Sequence, residues 1–373
     1  MQRTWIEISK TALIHNITAL STLISPSQLG VVIKAHAYGH GLLEVGQIAS
    51  ACPQVSFLCV AGIDEALLLR AAGITKPILT LAYSSGSFTQ AIMHDIALTV
   101  YNYETVEQLR IAAQACGKKA RIHIKVDTGM SRLGITPETL IEFIKKIQDP
   151  HIIIEGALTH ISDKDIHDQS FTNQQLDQFD AVLKQLAQEQ IIIPITHAFS
   201  SGALELAPER HYSMARVGTN IYGLWSSAIS QYRITQKNPD FILKPVLTWK
   251  TRIIQIKTIP AGSFVGYART FQTTKETRIA VLPIGYWDGY PRGLANKSVV
   301  IINGKPAPVL GIISMNLTTV DITDIPEAQV GDQVTLIGDH PHASATHCAK
   351  LLGTLNIELT TRINPTITRI IVD

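Results

Sequence analysis

The sequence predicts an α/β protein with two domains, an N-terminal (β/α)8 TIM-type barrel and a C-terminal, mostly antiparallel β domain. Two observations support this fold class: eight apolar runs alternate with helical patterns over the first part of the chain, and closely spaced alternating runs follow after residue 239. Alternating β and α units favour a parallel sheet, and eight of them within roughly 230 residues are typical of a barrel. We expect the barrel domain at residues 1–238 and the β domain at residues 239–373.

The eight candidate strands of the barrel are short apolar runs. They cover residues 31–33, 57–60, 78–81, 97–100, 122–126, 152–157, 192–196 and 213–217. The segments between them place apolar residues three or four positions apart, as one face of a helix requires. The clearest candidate helices cover residues 63–72, 103–115, 137–147 and 173–190. An open, doubly wound sheet would favour a GxGxxG turn after its first strand, and the residues after position 33 do not provide it.

The candidate strands of the last third of the chain lie close together. They cover residues 246–259, 277–283, 299–302 and 334–336. Asn303-Gly304 separates two apolar runs, which is a strong signal for a two-residue β-hairpin. We therefore interpret this part of the chain as an antiparallel β domain.

The composition limits the classes of partner. The chain has 373 residues, of which 46% are hydrophobic and 17% charged. A charged fraction below the roughly 25% usual for soluble domains suits a chain that buries extra surface in an oligomer. The net charge is +2 without basic blocks, so neither a nucleic acid nor an anionic membrane is an expected partner.

The sequence also predicts a cytoplasmic location. No apolar run reaches the roughly 18 residues of a membrane span, and residues 1–7 lack the apolar core of a signal peptide. The four cysteines, Cys52, Cys59, Cys116 and Cys348, stand far apart without a CxxC pair. Such cysteines are typical of reduced thiols in the core of a cytosolic protein.

The first candidate strand stops at a lysine, Lys34, which is followed by the loop sequence Ala35-His36-Ala37-Tyr38-Gly39-His40-Gly41. A lysine in this place has an apolar stem behind it. Desolvation lowers the pKa of such an amine, as a lysine that forms a Schiff base requires. On composition alone, an ordinary surface lysine that ends a strand is the alternative. His36 and His40 stand four apart, but in a glycine-containing loop without a nearby carboxylate or cysteine, so we expect no metal site.

Polar residues cluster where further candidate strands end, which is where a barrel has its active site. Lys125 lies in the fifth run and the string Asp127-Thr128-Gly129-Met130-Ser131-Arg132-Leu133-Gly134 follows it. The next three runs end in Thr159-His160, in His197-Ala198-Phe199-Ser200-Ser201-Gly202 and in Arg216-Val217-Gly218-Thr219. Hydroxyl residues and glycines on late barrel loops suit a phosphate site, although any one of these loops alone reads as an ordinary turn.

These strings resemble the alanine racemases, fold type III enzymes that hold pyridoxal 5'-phosphate (PLP) on a lysine. The stretch from Val31 to Gly41 resembles their lysine motif, with His36 where the family usually has Asn, and residues 127–134 resemble their most distinctive string. The β domain adds Val265-Gly266-Tyr267, the run from Pro283 to Arg292, and Ser314-Met315-Asn316. The resemblance covers nearly the whole chain.

The resemblance implies a role for each matching residue. Lys34 would bind PLP as an imine, and Tyr267 would reach the other face of the cofactor from the second subunit of a homodimer. The remaining cofactor-binding residues would be Tyr38, His160, Ser201, Arg216, Gly218 and Thr219. Arg132 and the backbone of Met315 would bind the substrate carboxylate, and Lys125 matches a position that is often carbamylated.

The implied reaction interconverts L-alanine and D-alanine and supplies D-alanine for bacterial cell-wall peptidoglycan. Such an isomerase needs one acid/base on each face of the substrate, and Lys34 and Tyr267 would supply them. An unperturbed phenol titrates at about 10, and a cationic Arg216 acting through His160 would lower that pKa. Because an arginine does not give up its proton, Arg216 would leave the pyridine nitrogen of PLP neutral.

Ile357 departs from the family pattern, because a Tyr usually occupies this position, and the departure leaves a broader alanine/serine racemase as one alternative. A fold type III amino-acid decarboxylase is a second alternative, although such enzymes usually place a carboxylate where this chain has Arg216. A non-catalytic PLP-binding barrel is a third, and the β domain with Tyr267 and Met315 argues against it.

Overall fold

The computed structural model describes residues 2–162, 168–202, 204, 210 and 212–373. The chain divides into two compact units. The first, which we call the barrel unit, consists of Leu13–Ala35 and Val45–Lys244. The second, the sheet unit, consists of Met1–Ala12, His36–Glu44 and Pro245–Asp373.

The barrel unit contains eight parallel strands in a nearly closed ring, which confirms the predicted fold class. After a first strand that belongs to the sheet unit, β1 (Thr4–Ser9), the ring consists of β2 (Gln28–Val32), β3 (Val55–Val60), β4 (Ile78–Thr80), β5 (Ile96–Val100), β6 (Ala120–Lys125), β7 (Ile152–Leu158), β8 (Ile195–His197) and β9 (Met214–Val217). The sheet order runs from β8 through β2 to β9. The Arg216 N–H donates to the Phe199 carbonyl at 3.0 Å and joins the two ends of the ring.

Helices connect the strands, and four of them correspond to the helices predicted at residues 63–72, 103–115, 137–147 and 173–190. They are α1 (Lys10–Leu23), α2 (Lys34–Tyr38), α3 (Leu42–Ala51), α4 (Ile63–Ala71), α5 (Phe88–Met93), α6 (Tyr103–Cys116), α7 (Leu140–Ile147), α8 (Ser170–Gln188) and α9 (Ala228–Lys237). Helix α6 shows why the bounds fall where they do. The Asn102 side chain accepts from the Thr105 N–H at 2.8 Å, and Gly117 ends the helix in the left-handed conformation.

Strand β8 is shifted from its predicted position. Strand β8 begins at Ile195, three residues later than the candidate strand 192–196. Pro194 precedes β8 and has no N–H to donate to a neighbouring strand, and the Ile192 side chain is 85% exposed. The predicted strand therefore began too early, because it included the exposed apolar residue Ile192.

The sheet unit is built on a mostly antiparallel nine-stranded sheet. Its further strands are β10 (Leu247–Arg252), β11 (Gln255–Ile259), β12 (Phe264–Val265), β13 (Phe271–Gln272), β14 (Thr277–Leu282), β15 (Val299–Ile302), β16 (Lys305–Leu310), β17 (Thr318–Asp321), β18 (Gln333–Ile337) and β19 (Arg369–Val372), of which β12 and β13 form a separate pair. The hairpin predicted at Asn303-Gly304 joins β15 to β16, and both turn residues have positive φ. Two helices, α10 (Ala345–Leu352) and α11 (Asn356–Thr361), complete the unit.

The N-terminal strand β1 is part of the sheet unit, although the predicted boundary places it with the barrel. It pairs antiparallel with β10 and parallel with β19. Its buried residues include Trp5, Ile6 and Ile8. Among the described residues, no helix has both the length and the apolar character needed to cross a membrane.

Candidate active site

Lys34 lies two residues after the end of the barrel strand β2 and is the first residue of α2, which is a left-handed helical turn. Residues 35–38 all have φ between 52° and 55°. The sequence predicted a loop after the strand, and the structure has a left-handed helical turn there instead. A left-handed turn costs roughly 1–2 kcal/mol per non-glycine residue, so contacts elsewhere must hold it.

Contacts within the sheet unit hold the end of this turn. The Arg369 guanidinium is 8% exposed and donates from Nε and Nη2 to the Gly39 carbonyl at 3.3 and 2.9 Å. Gly39 has φ of 84°, and a Cβ added there would overlap the Thr360 carbonyl oxygen of α11. The segment that carries Tyr38 is therefore fixed by an arginine and by a glycine that permits close approach. Ile357, the departure from the family pattern, lies half-buried on the same helix α11.

Gly39→Ala is expected to destabilise the protein by about 1–3 kcal/mol more than the same substitution at another left-handed glycine, because the new methyl overlaps the backbone of Thr360. The matched control is Gly73→Ala. Gly73 has φ of 81°, and a Cβ there meets nothing within 4 Å, so only the backbone conformation opposes that change. Denaturant unfolding of both variants measures the difference, and equal losses of stability would contradict the packing account.

Lys34 lies in a cationic environment within the barrel unit. Burial lowers the pKa of its amine, and the positive charges of Arg132 and Arg216 lower the pKa further. A lowered pKa increases the fraction of neutral amine, which is the form that attacks a carbonyl carbon. The predicted Schiff-base chemistry therefore has a physical basis at this position.

Lys125 lies at the end of β6 and is 6% exposed. Burial lowers the pKa of its amine to about 8, with further lowering by the charges of Arg216, Arg132 and Lys34. Asp127 acts in the opposite direction on that pKa. Four cationic side chains thus influence one another at the carboxyl end of the barrel strands, and such a field attracts anionic ligands.

The loop that carries Arg132 is organised by Asp127. One carboxylate oxygen of Asp127 accepts from the backbone N–H groups of Gly129, Met130 and Ser131 at 3.0, 2.9 and 3.0 Å. These bonds form a tight loop directly after β6. Arg132 itself is exposed on this loop.

Arg216 is 3% exposed and has a dense set of acceptors. Its Nη2 donates to the carbonyls of Thr159 and Ala198 at 2.8 and 3.1 Å, and its Nη1 donates to the His197 carbonyl at 2.9 Å. Burial lowers its pKa to about 10, which still leaves the guanidinium cationic near neutral pH. His160 Nδ1 lies 3.5 Å from Nη2, so these two predicted site residues are neighbours.

The predicted phosphate-binding residues also lie together. The Ser201 hydroxyl is buried and accepts from the Gly218 N–H at 2.9 Å, and the buried Thr219 follows in sequence. Among the described residues, the buried hydroxyl of Ser200 and the side-chain amide of Asn220 have no hydrogen-bond partner. This group of side chains therefore retains polar capacity for a ligand.

The other predicted site residues, Tyr38, Tyr267 and Met315, belong to the sheet unit. Tyr267 is 71% exposed and Met315 is 54% exposed. Gly266 and Ala268, on either side of Tyr267, both have positive φ. The tyrosine is therefore presented to solvent on a sharply turned segment.

Sequence reasoning missed two histidines beneath the barrel rim, His123 and His197. His123 stands two residues before Lys125 on β6, so both side chains lie on the same face of the strand. That spacing is the signal that could have found it. His197 was part of a quoted string but received no role.

The parallel barrel has a lysine of lowered pKa, a cationic cluster and buried hydroxyls at the carboxyl ends of its strands. This combination defines a class of enzymes. These enzymes bind a phosphorylated carbonyl compound through the lysine. Comparison with known proteins identifies the family within this class.

The family model "Alanine racemase, N-terminal domain" matches residues 8–226, and "Alanine racemase, C-terminal domain" matches residues 246–371. The alanine racemase of Methanococcus maripaludis is 40% identical over 375 residues, which cover 98% of each chain. The crystal structure of the Streptomyces lavendulae alanine racemase superimposes with a TM-score of 0.92 at 30% identity and covers 100% of this chain and 98% of its own. A Bacillus anthracis alanine racemase with bound L-Ala-P has a TM-score of 0.88 at 32% identity, over 100% of this chain and 96% of its own. The chain belongs to the alanine racemase family.

Proposed function

We propose that this protein is a PLP-dependent alanine racemase, an isomerase that interconverts L-alanine and D-alanine. The observation that carries the proposal is the buried Lys34 amine, whose pKa is lowered beside Arg132 and Arg216 at the carboxyl end of the barrel. Family membership favours racemisation of alanine over a broader alanine/serine activity or decarboxylation. The product D-alanine would serve cell-wall peptidoglycan, as the family implies.

The residues at the site fit PLP. Ser201, Gly218 and Thr219 offer hydroxyl and backbone donors for its phosphate, and the sequence adds Tyr38 from the turn after Lys34. Among the residues that the structure describes, the buried Ser200 hydroxyl has no hydrogen-bond partner, which supports a further polar ligand atom there. Arg216 supplies a fixed cation for the pyridine nitrogen, and Lys34 supplies the amine.

When bound, PLP supplies an electron sink that makes the Cα proton of alanine acidic. Lys34 accepts or returns that proton on one face, and Tyr267 does so on the other. Arg132 and the backbone of Met315 bind the substrate carboxylate and orient Cα between the two bases. Arg216 remains protonated throughout, with His160 beside it, so positive charge stays fixed at the pyridine end.

We also propose a homodimer in which the β domain, residues 239–373, supplies Tyr267 and Met315 to the partner's barrel domain, residues 1–238. Both side chains are strongly exposed. Tyr286, Trp287 and Leu317 of the same unit are large apolar side chains that are 44%, 65% and 45% exposed. Apolar exposure of this kind supports a protein interface.

The four free cysteines support a cytoplasmic location.

The test of the proposed activity is incubation of the purified protein with PLP and L-alanine, followed by chiral chromatography. We expect D-alanine to accumulate until the two enantiomers are equal. Release of CO₂ would indicate a decarboxylase instead, and unchanged L-alanine would indicate a protein that binds PLP without catalysis.

Lys125 is expected to carry a carbamate. Burial lowers its pKa to about 8, so a substantial fraction of the amine is neutral and able to attack CO₂ at neutral pH. The resulting anion would lie among three cations and hold Arg132 by charge-assisted hydrogen bonds. Carbon-13 NMR of the protein in ¹³C-bicarbonate should show a carbamate signal. Lys125→Ala should remove this signal and Lys145→Ala, at an exposed ion pair, should retain it; a signal that survives Lys125→Ala would assign the carbamate elsewhere.

A further inference from the structure

A chain of buried polar side chains crosses the interior of the barrel unit and ends at Arg216. Glu155 Oε2 lies 3.3 Å from His123 Nε2, and His123 Nδ1 lies 2.8 Å from His197 Nε2. His197 Nδ1 in turn lies 2.5 Å from Arg216 Nη1. Both histidines are 0% exposed. Of these four residues only Arg216 has a role in the reaction described above.

The two ends of this chain have fixed hydrogen-bonding roles. The Arg216 guanidinium can only donate. Burial opposes ionisation of Glu155, but hydrogen bonds from His123 and Arg121 outweigh it and lower the pKa of the carboxyl to about 2. Glu155 is therefore an anion near neutral pH and can only accept.

These ends leave one arrangement of protons for the two histidines. His123 must donate from Nε2 to Glu155, and His197 must accept at Nδ1 from Arg216. The 2.8 Å contact between the rings is then satisfied by the His197 Nε2–H, which donates to the bare Nδ1 of His123. A doubly protonated His123 would force a proton onto His197 Nδ1, where it would face the Arg216 N–H. Both imidazoles are consequently neutral, and burial lowers the pKa of each.

The residues packed around His123 leave room for its ring and restrict its orientation. Gly156 of β7 is the neighbour of His123 across the sheet, and a Cβ at Gly156 would overlap the His123 ring. The Phe57 ring meets His123 edge-on at a centroid distance of 6.2 Å. Close packing on both sides restricts the orientation of the His123 ring.

We propose that Glu155, His123 and His197 form a positioning chain that presents a lone pair at His197 Nδ1 and thereby fixes the orientation of Arg216 beneath the cofactor. The inference rests on the proposed function, in which Arg216 contacts the pyridine nitrogen of PLP. Arg216 is a buried cation whose contacts, among the described residues, are backbone carbonyls and imidazoles. A buried charge requires such oriented acceptors, and loss of one lets the guanidinium turn. His197 thus acts through Arg216 and not on the substrate.

The proposal is tested with the holoenzyme and two substitutions of the same residue. In His197→Asn, the amide oxygen lies near the position of Nδ1 and can still accept from Arg216. In His197→Leu, a side chain of similar size has no acceptor. We expect the dissociation constant for PLP to rise roughly tenfold or more in His197→Leu, the absorption band of bound PLP to shift, and kcat for alanine to fall while KM changes little. His197→Asn should remain within about threefold of the wild type in PLP affinity and should retain its absorption band.

Neutron diffraction of the wild-type protein provides a readout that is independent of activity and of the folding of either variant. We expect deuterium on Nε2 of both His123 and His197, and none on either Nδ1. Deuterium on His197 Nδ1 would overturn the proposal, as would equal PLP affinity and identical spectra in the Asn and Leu variants. Failure of the wild-type protein to bind PLP would instead contradict the proposed function and would leave the neutron result to decide the proton arrangement.

Discussion

Lys34→Ala is expected to abolish covalent attachment of PLP and to lower the rate of racemisation by at least roughly 10³-fold. The substitution would remove both the amine that we propose to bind the cofactor and the proposed base on one face of the substrate, and a positioned base alone contributes about 10²–10⁴-fold. Borohydride treatment of the wild-type holoenzyme followed by peptide mapping should place the reduced cofactor on the peptide that contains Lys34. The control, Lys118→Ala, changes a partly exposed lysine in a surface ion pair and should leave attachment unaffected.

The pH dependence of attachment follows from the same environment. Burial and the charges of Arg132 and Arg216 lower the pKa of Lys34 below its ordinary value of 10.5. The neutral, reactive amine therefore persists to lower pH than in an exposed lysine, so the rate of attachment should decline only below that lowered pKa. Reduced cofactor on any other lysine would contradict the assignment.

Tyr267→Phe is expected to lower racemisation by roughly 10²–10⁴-fold, because it would remove the acid/base that we propose for the second face and would keep the ring. Tyr267 is 71% exposed in the sheet unit, which suits a residue that completes the site of a partner subunit. The matched control is Tyr232→Phe, which removes the hydroxyl of a 63% exposed tyrosine in the barrel unit and should have little effect.

Mixing inactive Lys34→Ala with inactive Tyr267→Phe tests whether the sites are shared between subunits. A heterodimer of the two variants would contain one site with both an intact lysine and an intact tyrosine. Some activity should therefore return as subunits exchange. If exchange is demonstrated by mass spectrometry and activity does not return, each site is built from a single subunit and the shared-site proposal fails.

The sequence predicted the barrel strands from apolar runs, and in strands such as β3, β4 and β5 nearly every residue is buried, so the local pattern is sufficient. The hairpin at Asn303-Gly304 was equally predictable, because its turn type depends on two adjacent residues. The grouping of Lys34, Lys125, Arg132 and Arg216 followed from a topological rule, since the carboxyl ends of barrel strands converge on one rim.

Other features depend on contacts between residues distant in sequence. The local sequence offers one indication of the left-handed turn at residues 35–38, which is Gly39 directly after it. The turn is held by Arg369, which lies 330 positions later in the chain. Strand β1 reads as an ordinary half-buried strand, and its pattern does not specify that β10 and β19 are its partners. His123 alone reads as a core histidine, and only its hydrogen bonds to Glu155 and His197 indicate its orientation.

We propose that Lys34 and Tyr267 exchange the Cα proton of alanine on opposite faces. The most direct measurement is incubation of the holoenzyme with L-alanine in D₂O, with the enantiomers separated and the deuterium at Cα quantified by mass spectrometry. We expect D-alanine that carries deuterium at Cα from the earliest turnovers, because a proton removed by one base is replaced from another that has equilibrated with solvent. Deuterium that enters L-alanine without formation of D-alanine would mean that one face has no working base, and would contradict the account.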